Sequence, residues 1–178
     1  MQKIAIIGAH GTGKTQLCRK LWGYCNRMQK PAEMVDEVVR ICPLPIHQNQ
    51  TAATALWIIC QQIAFELEAE NKNPEFIICD RSVIDPLVYL HCVNPDAVNI
   101  NVMEFAENYS KTYDKIYLIK PINRKIDEDG YRNTDIAYQF AINAVFQDWL
   151  AGRCHFLDAS QVFDDDDDGK LCKFITGV

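Results

Sequence analysis

A phosphate-binding loop is the clearest chemical signal in the sequence. Residues 8–15 read GAHGTGKT and match the pattern G-x-x-x-x-G-K-[ST], between an apolar run and a helical pattern as that motif requires. The backbone N–H groups of such a loop surround a polyphosphate, while Lys14 meets its outer phosphates and the Thr15 hydroxyl ligates Mg²⁺. We expect His10 to fill the loop or to face solvent. The predicted nucleotide-binding residues are Gly8, His10, Gly11, Thr12, Gly13, Lys14, Thr15 and Gln16.

An acidic and a basic residue stand together after a second apolar stretch. Asp80 ends the run FIICD, and Arg81 follows it directly. Because ligands of open parallel α/β sheets bind beyond the carboxyl ends of the strands, we interpret Asp80 as a direct or water-mediated ligand of Mg²⁺. Arg81 has two interpretations: its guanidinium could hold an anionic or hydroxyl-bearing acceptor, or it could neutralise Asp80 as a structural pair.

Further charged residues, Asp36, Glu37 and Arg40, lie at the end of another predicted strand. Phosphoryl transfer depends on positioning and charge stabilisation, with a carboxylate that accepts the proton of the acceptor hydroxyl. We predict that Glu37 has this role, with Asp36 as the alternative and a solvated strand end as the other interpretation. Arg40 and Arg81 would then hold the acceptor, with Asp36 and Glu37 beside them.

Residues 120–133 combine cations with a glycine turn, and we interpret them as a mobile lid. The charge on a transferring phosphoryl group must also be met from the side opposite the phosphate-binding loop. We therefore predict that Arg124 and Arg132 stabilise this charge, with Lys125 as a weaker candidate; a solvated charged loop is the alternative. The N-K-x-D signature of typical GTPases is missing after the fourth predicted strand, which disfavours a nucleotide-dependent switch.

These residues need a scaffold, and the apolar pattern predicts one. Short β-rich runs alternate with longer helical patterns, which is typical of an α/β domain with a mainly parallel sheet. Strands are predicted at 3–7, 32–36, 76–80, 115–119 and 155–158, and helices after the phosphate-binding loop, at 52–70 and at about 134–150. Within 159–178, an acidic loop precedes a tail whose residues 171–175 are assigned to an edge strand. The predicted core-facing residues are Leu17, Leu21 and Trp22 in the first helix, Ala52, Leu56, Ile59, Ile63 and Leu67 in the second, and Ile136, Phe140, Ala144 and Trp149 in the third.

Composition narrows the range of partners. The 178 residues are 48% hydrophobic and carry a formal net charge of −6, which suits one domain with its own core and favours small molecules over nucleic acid. Eight cysteines without a C-x-x-C pair indicate a reducing compartment and no cysteine metal site. Neither a signal peptide nor a membrane span is visible. We therefore expect a cytoplasmic protein, in the host cytoplasm if a phage encodes it, that acts as a monomer or homodimer.

Taken together, these motifs resemble a P-loop kinase family, the one that includes the nicotinamide riboside kinase domain and its AAA-labelled relatives. The chain is more distantly similar to thymidylate and deoxynucleoside kinases. The resemblance covers residues 3 to about 158 and is carried by GAHGTGKT, DEVVRICPLPI, TAATALWIICQQ, CDRSVIDPLVYL and DEDGYRN. It implies a three-layer α/β sandwich of the P-loop NTPase type, with a five-stranded sheet in which the Asp80 strand lies beside the P-loop strand. It also implies ATP with Mg²⁺ as the phosphoryl donor.

Two departures leave the acceptor open. The sequence contains no adenylyltransferase domain like that of the bifunctional relatives, and Ser82 stands where thymidylate kinases carry an aromatic residue or histidine. The leading hypothesis is an ATP-dependent kinase acting on a nucleoside, a nucleotide or a similar small acceptor. One alternative is a phage-type kinase of 5-hydroxymethyluracil in DNA, which the acidic charge disfavours. The other is a nucleotide-binding switch or regulatory ATPase.

Overall fold

The computed structural model describes residues 1–122, 136–163 and 168–178. Within these ranges, strands and helices alternate along most of the chain. The order is β1 Gln2–Ile7, α1 Lys14–Arg27, β2 Ala32–Val35, α2 Ala52–Glu70, β3 Phe76–Asp80, α3 Asp85–Val93, α4 Ile100–Ser110, β4 Lys115–Lys120, α5 Ile136–Trp149, β5 His155–Asp158, α6 Ala159–Phe163 and α7 Asp168–Thr176. Short 3₁₀ turns lie at Val38–Ile41, His47–Asn49 and Pro95–Ala97.

The strands form one five-stranded sheet in the order β2-β3-β1-β4-β5. Every neighbouring pair is parallel, and the register places Ile6 beside Asp80 and Ile7 beside Leu118. The predicted α/β fold is confirmed, including the position of the Asp80 strand beside the strand that leads into the phosphate-binding loop. Each strand end agrees with its predicted limit to within one residue.

The central strand β1 divides the core into two layers. Its side chains alternate: Ile4 and Ile6 pack with residues of α1, α6 and α7, whereas Ala5 and Ile7 pack with residues of α2, α3, α4 and α5. All of them are fully buried, because a central parallel strand is covered by helices on both faces. Helices therefore cover both faces of the sheet, which confirms the three-layer arrangement.

The predicted inward face of α2 is wrong. Leu56 and Leu67 are 46% and 52% exposed, and Ile59 is the one predicted residue that is fully buried. The buried stripe also contains the polar residues Gln62 and Glu66. Apolar residues of α2 are distributed around most of its circumference, so the spacing of its leucines does not identify the inward side.

In α1 the predicted core positions of Leu17 and Leu21 are confirmed, since both are fully buried, whereas Trp22 and much of the predicted face of α5 are not inward. Trp22 of α1 is 45% exposed, and its indole N–H donates to a backbone carbonyl of β2 at 2.9 Å. In α5, Gln139 and Asn143 are buried beside Ile142. Because these amides occupy inward positions, apolar residues of the same helix lie outside; the exposed members of the predicted face are Ile136, Phe140 and Ala144.

The C-terminal tail is helical. Residues 171–175 lie within α7, so the predicted edge strand is wrong. Cys172 and Ile175 are buried against the α1 layer, and their separation of three residues suits one side of a helix. The predicted acidic turn falls largely on 164–167, outside the described residues. No helix in the described part of the chain is long and apolar enough to cross a membrane.

Candidate active site

The phosphate-binding loop runs from the end of β1 to the start of α1, and its glycines are required by close contacts. Gly8 has a φ of +137° and Gly13 a φ of +87°, in a region that side chains disfavour. A Cβ on Gly8 would lie 2.7 Å from the carbonyl oxygen of Ile119, and one on Gly13 would lie 2.9 Å from Cγ1 of Val162. The loop therefore fits closely between β4 and α6.

Lys14 and Thr12 both turn toward the interior of this loop. The Lys14 ammonium donates to the carbonyl oxygen of Ala9 at 2.7 Å, and the Thr12 hydroxyl donates to the same oxygen at 2.9 Å. Burial, followed by the nearby charge of Arg81, lowers the pKa of Lys14 to about 8. An ammonium group held under these conditions favours the arrival of an anion, because a negative charge would offset its lost hydration.

The other loop residues occupy distinct environments. His10 is 7% exposed, and its ring lies 6.5 Å from that of Tyr89 and 5.9 Å from that of Tyr138. Of the two interpretations of His10, the structure therefore shows the loop-filling one. Gln139 holds the loop from α5, since its amide N–H donates to the His10 carbonyl at 2.6 Å. Gly11 is half-buried and Gln16 is exposed.

Thr15 and Asp80 form the contact between the loop and β3. The Thr15 hydroxyl donates to Oδ2 of Asp80 at 2.5 Å. Oδ1 of the same carboxylate is buried and has no hydrogen-bond partner in the part of the chain that the structure describes. Burial raises the pKa of Asp80, while the Thr15 hydroxyl and the Lys14 charge oppose this shift. A hydroxyl oxygen and an unused carboxylate oxygen are suitable ligands for Mg²⁺, directly or through its waters, so the residues present fit this ion.

A second cluster faces the loop from the end of β2. The Arg81 guanidinium donates from Nε and lies with Nη2 against the same Glu37 oxygen, at 2.7 and 2.6 Å, while its Nη1 lies 3.3 Å from Asp85. Arg40 donates to the other Glu37 oxygen at 2.8 Å. Burial alone would raise the pKa of Glu37, but the charges of Arg81 and Lys14 outweigh it and lower the pKa to about 2. Glu37 is therefore anionic in the free protein.

The side chains of this cluster differ in how far they are exposed to solvent. The side chains of Arg81 and Glu37 are 13% and 11% exposed, whereas that of Arg40 is 48% exposed. Asp36 is exposed and makes no hydrogen bond or ion pair with any described residue. The structure thus brings Glu37, Arg81 and Asp80 near the loop and leaves Asp36 outside this network.

Sequence reasoning missed Asp85, which holds the segment after β3. Its Oδ2 accepts from the backbone N–H and the hydroxyl of Ser82 at 2.9 and 2.8 Å, and burial raises its pKa. The pattern S-x-x-D before an apolar run is a signal for such a turn, and it is present in the sequence as SVID. Arg81, just before this turn, has a φ of +90°.

The predicted lid residues Arg124, Lys125 and Arg132 lie outside the described residues. What the described ranges provide is a loop built for anions, a hydroxyl–carboxylate pair and a guanidinium–carboxylate pair. The chemistry available to such a site is the binding of a polyphosphate and of a second group beside it.

Comparisons with known proteins concern the family and the fold of the chain. Residues 3–160 match the family described as "AAA domain". Comparison with curated proteins finds no match.

Among solved structures, the fold is similar to that of deoxyadenosine kinase from M. mycoides with bound dATP, with a TM-score of 0.66 and 15% identity over all of both chains. The same enzyme with bound dCTP gives a TM-score of 0.59 and 15% identity over 96% of each chain. NadR in complex with NAD and AMP-PNP gives a TM-score of 0.59 and 18% identity over 99% of this chain and 50% of NadR. At these identities, the similarity establishes the fold.

Proposed function

Since the chain belongs to the AAA domain family, we propose that it is an ATP-dependent kinase of nucleoside-like or nucleotide-like small acceptors. The observation that carries the proposal is the meeting of two polar pairs beside one phosphate-binding loop. Thr15 contacts Asp80 on the donor side, and Glu37 contacts Arg81 on the other side. The first pair suits any protein that binds a nucleotide with Mg²⁺, whereas the second offers the carboxylate and guanidinium that a phosphoryl acceptor would contact.

On the donor side, the loop N–H groups and Lys14 would hold the terminal phosphates of ATP. Lys14 would leave the Ala9 carbonyl and pair with a phosphate oxygen, which restores its ordinary preference for the charged form. Thr15 and Asp80 would hold Mg²⁺, which when bound neutralises charge on the phosphates. Asp80 has an oxygen to spare for this purpose.

On the acceptor side, Arg81 is already held in place, whereas Arg40 is the partner of Glu37 that an acceptor would displace. Because Arg40 is half-exposed, its ion pair with Glu37 contributes at most about 1 kcal/mol. An acceptor hydroxyl could take its place on Glu37, which would orient the hydroxyl and receive its proton as the phosphoryl group arrives. Arg40 and Arg81 would then hold the anionic or polar parts of the acceptor.

From the other side, Arg124 and Arg132 of the proposed lid would meet the charge of the transferring group. These residues lie outside the described ranges, so their role stands on the sequence alone. Closure of such a segment would also keep water from the γ-phosphate.

Relatives with the same fold support a nucleoside-type acceptor. The M. mycoides enzyme is a deoxyadenosine kinase that was seen with dATP, and NadR was seen with NAD and AMP-PNP. We propose that the chain is nicotinamide riboside kinase-like, a proposal supported by the sequence elements DEVVR, CDRS and DGYR.

The test is a transfer assay with γ-labelled ATP, Mg²⁺ and a panel of acceptors, with products identified by mass spectrometry. The panel contains nucleosides, nucleoside monophosphates, nicotinamide riboside, and DNA with either thymine or 5-hydroxymethyluracil. Label on a small acceptor supports the proposal. Label on modified DNA alone favours the DNA kinase, and phosphate release that no acceptor changes favours a regulatory ATPase.

Two variants make this assay specific. Lys14→Met should remove transfer, because the phosphates lose their buried ammonium partner. Lys30→Met is the matched control, since Lys30 forms an exposed ion pair with Glu75 and lies outside the site. Equal transfer by both variants would contradict the assignment of Lys14.

A further inference from the structure

A buried carboxylate lies behind the proposed acceptor site. Glu66 of α2 is fully buried and accepts four hydrogen bonds from side chains that belong to three different parts of the chain. Its Oε1 accepts from the amide of Gln62 at 2.9 Å and from the hydroxyl of Tyr113 at 2.7 Å. Its Oε2 accepts from the ammonium of Lys3 at 3.2 Å and from the hydroxyl of Tyr109 at 3.1 Å.

Two of these donors also contact the segment that carries Arg81. The Tyr113 hydroxyl accepts from the backbone N–H of Val83 at 3.2 Å. The Gln62 amide lies 3.5 Å from the backbone carbonyl oxygen of Arg81. The Glu66 carboxylate is thus one hydrogen bond removed from the backbone on both sides of Ser82, and its contacts fix the orientation of both Tyr113 and Gln62.

Arg81 needs such support because its backbone is strained. It has a φ of +90° without being glycine, and residues in this conformation persist only where the surrounding structure holds them. On the sheet side, the Arg81 N–H donates to the carbonyl oxygen of Ile6 at 3.0 Å. The contacts through Gln62 and Tyr113 hold the segment from the α2 side.

We propose that Tyr113 and Gln62, both oriented by Glu66, are positioning residues that hold the backbone segment from which the Arg81 guanidinium reaches the acceptor. This inference rests on the proposed function, in which Arg81 binds the acceptor. Replacement of buried ionic groups by apolar residues of similar volume is often neutral for stability, so stability alone does not require a carboxylate here. Hydrogen bonds are directional, and they set the position of a strained segment more narrowly than apolar contacts do.

The chain offers a matched pair of variants for the test. Tyr113→Phe and Tyr109→Phe each remove one hydroxyl that donates to Glu66, but Tyr113 alone of the two contacts the Arg81 segment. For the acceptor found in the transfer assay, we expect Tyr113→Phe to reduce kcat/KM at least tenfold. Tyr109→Phe should change it less than twofold. The Kd for AMP-PNP should stay within twofold in both variants, because the phosphate-binding loop is not touched.

Amide hydrogen exchange followed by NMR gives a second measurement that needs no acceptor. We expect exchange at Val83 to become at least tenfold faster in Tyr113→Phe and to stay unchanged in Tyr109→Phe. Gln62→Met keeps the length of the side chain and removes its donor, so it should reduce kcat/KM as Tyr113→Phe does. This variant replaces Tyr113→Phe in the kinetic test if Tyr113→Phe does not fold.

Equal kinetic effects of the two tyrosine variants would overturn the inference, and so would unchanged exchange at Val83. If the wild-type protein phosphorylates no acceptor, the proposed function fails. The exchange at Val83 then still shows whether the hydroxyl of Tyr113 holds this segment. These measurements therefore distinguish a failure of the proposed kinase function from a failure of the positioning role.

Discussion

Thr15 and Asp80 are 65 residues apart in the sequence and are joined by a hydrogen bond of 2.5 Å from the Thr15 hydroxyl to the Asp80 carboxylate. The contact follows from the topology, because β3 lies beside β1 and both end at the same edge of the sheet. Thr15 stands in the first turn of α1, just beyond that edge. The second Asp80 oxygen has no hydrogen bond in the described structure. It is therefore available to bind Mg²⁺, which is the role we expect for this pair.

The first prediction concerns that oxygen. Asp80→Asn keeps the shape of the side chain and removes its charge, so we expect the Mg²⁺-dependent transfer rate to fall by about 10²-fold or more. Burial raises the pKa of Asp80, which means that the ionised carboxylate costs stability in the free protein. The thermal unfolding temperature of Asp80→Asn should therefore not decrease.

Initial rates against Mg²⁺ concentration, together with a thermal melt, measure both effects. Asp96→Asn is the control, since Asp96 is an exposed carboxylate on the turn after α3. A variant that transfers at the wild-type rate, or one that unfolds far earlier than Asp96→Asn, would contradict the assignment.

The second prediction concerns Lys14 and pH. Its pKa of about 8 in the folded protein lies below its ordinary value of 10.5. Burial of Lys14 therefore costs no stability well above pH 10.5, where the amine is neutral in both states, and the cost develops as the pH falls from 10.5 to 8. At pH 7 the buried ammonium therefore costs up to about 3 kcal/mol. Removing it also removes its hydrogen bond to Ala9, worth about 1 kcal/mol. We expect Lys14→Met to increase the free energy of unfolding at pH 7 by about 1–2 kcal/mol.

Urea denaturation at neutral pH and at a pH of about 10 measures this difference, and the gain should vanish at the higher pH. Nucleotide should stabilise the wild-type protein and not the variant, since a ligand stabilises only the state that binds it. A loss of stability at pH 7 in Lys14→Met would refute the buried-charge argument.

The parts of the fold that the sequence predicted are those with a local signal. Central parallel strands are buried on both faces and therefore appear as short apolar runs, which is why β3 was predicted to the residue. The limits of the edge strand β5 were also predicted correctly, although three of its four residues are exposed. The loop before α1 has its glycines because a Cβ on Gly8 or Gly13 would lie less than 3.0 Å from β4 or α6. Such a requirement is visible as a motif without knowledge of the neighbours.

The inward faces of α2 and α5 could not be predicted in this way. Glu66 is buried because Lys3 and Tyr113, distant in sequence, supply its partners, and no pattern within α2 encodes them. Helix α3 was not among the predicted helices; its Pro86 stands in the first turn, where proline is accepted. Asp85 could have been identified from its spacing to Ser82, but its contact with Arg81 depends on the strained turn between them.

The third prediction separates Glu37 from Asp36. The Glu37 pKa of about 2 lies below its ordinary value of 4.5, so its contribution is present above 4.5 and is lost as the pH falls toward 2. The shift corresponds to about 3 kcal/mol at neutral pH. We expect Glu37→Gln to lower the free energy of unfolding by about 2–3 kcal/mol at pH 7 and to flatten its decline in acid.

Acid titration of stability for Glu37→Gln and Glu33→Gln tests this, because Glu33 forms an exposed pair with Lys72 worth at most about 1 kcal/mol. For activity, we expect Glu37→Gln to reduce kcat by about 10²-fold or more, as loss of a proton acceptor does. Asp36→Asn should have a much smaller effect, since Asp36 lies outside the ion-pair network. A larger loss of kcat in Asp36→Asn would exchange the two roles.

The last prediction uses three glycines to separate backbone strain from steric overlap. Gly13 and Gly152 have similar positive φ values of +87° and +73°, but a Cβ would meet Val162 at 2.9 Å on Gly13 and nothing within 4 Å on Gly152. Gly152→Ala should therefore cost about 1–2 kcal/mol, the price of the left-handed conformation. Gly13→Ala should cost more than that and should also weaken the binding of AMP-PNP, because α6 or the loop must shift.

Gly23 lies inside α1, where an added Cβ would have its nearest contact at 3.4 Å, with the Arg27 side chain. We expect Gly23→Ala to stabilise the protein by about 0.5–1 kcal/mol. Urea denaturation and AMP-PNP titration of the three variants measure this order, and equal costs at Gly13 and Gly152 would mean that contact with α6 does not constrain the loop.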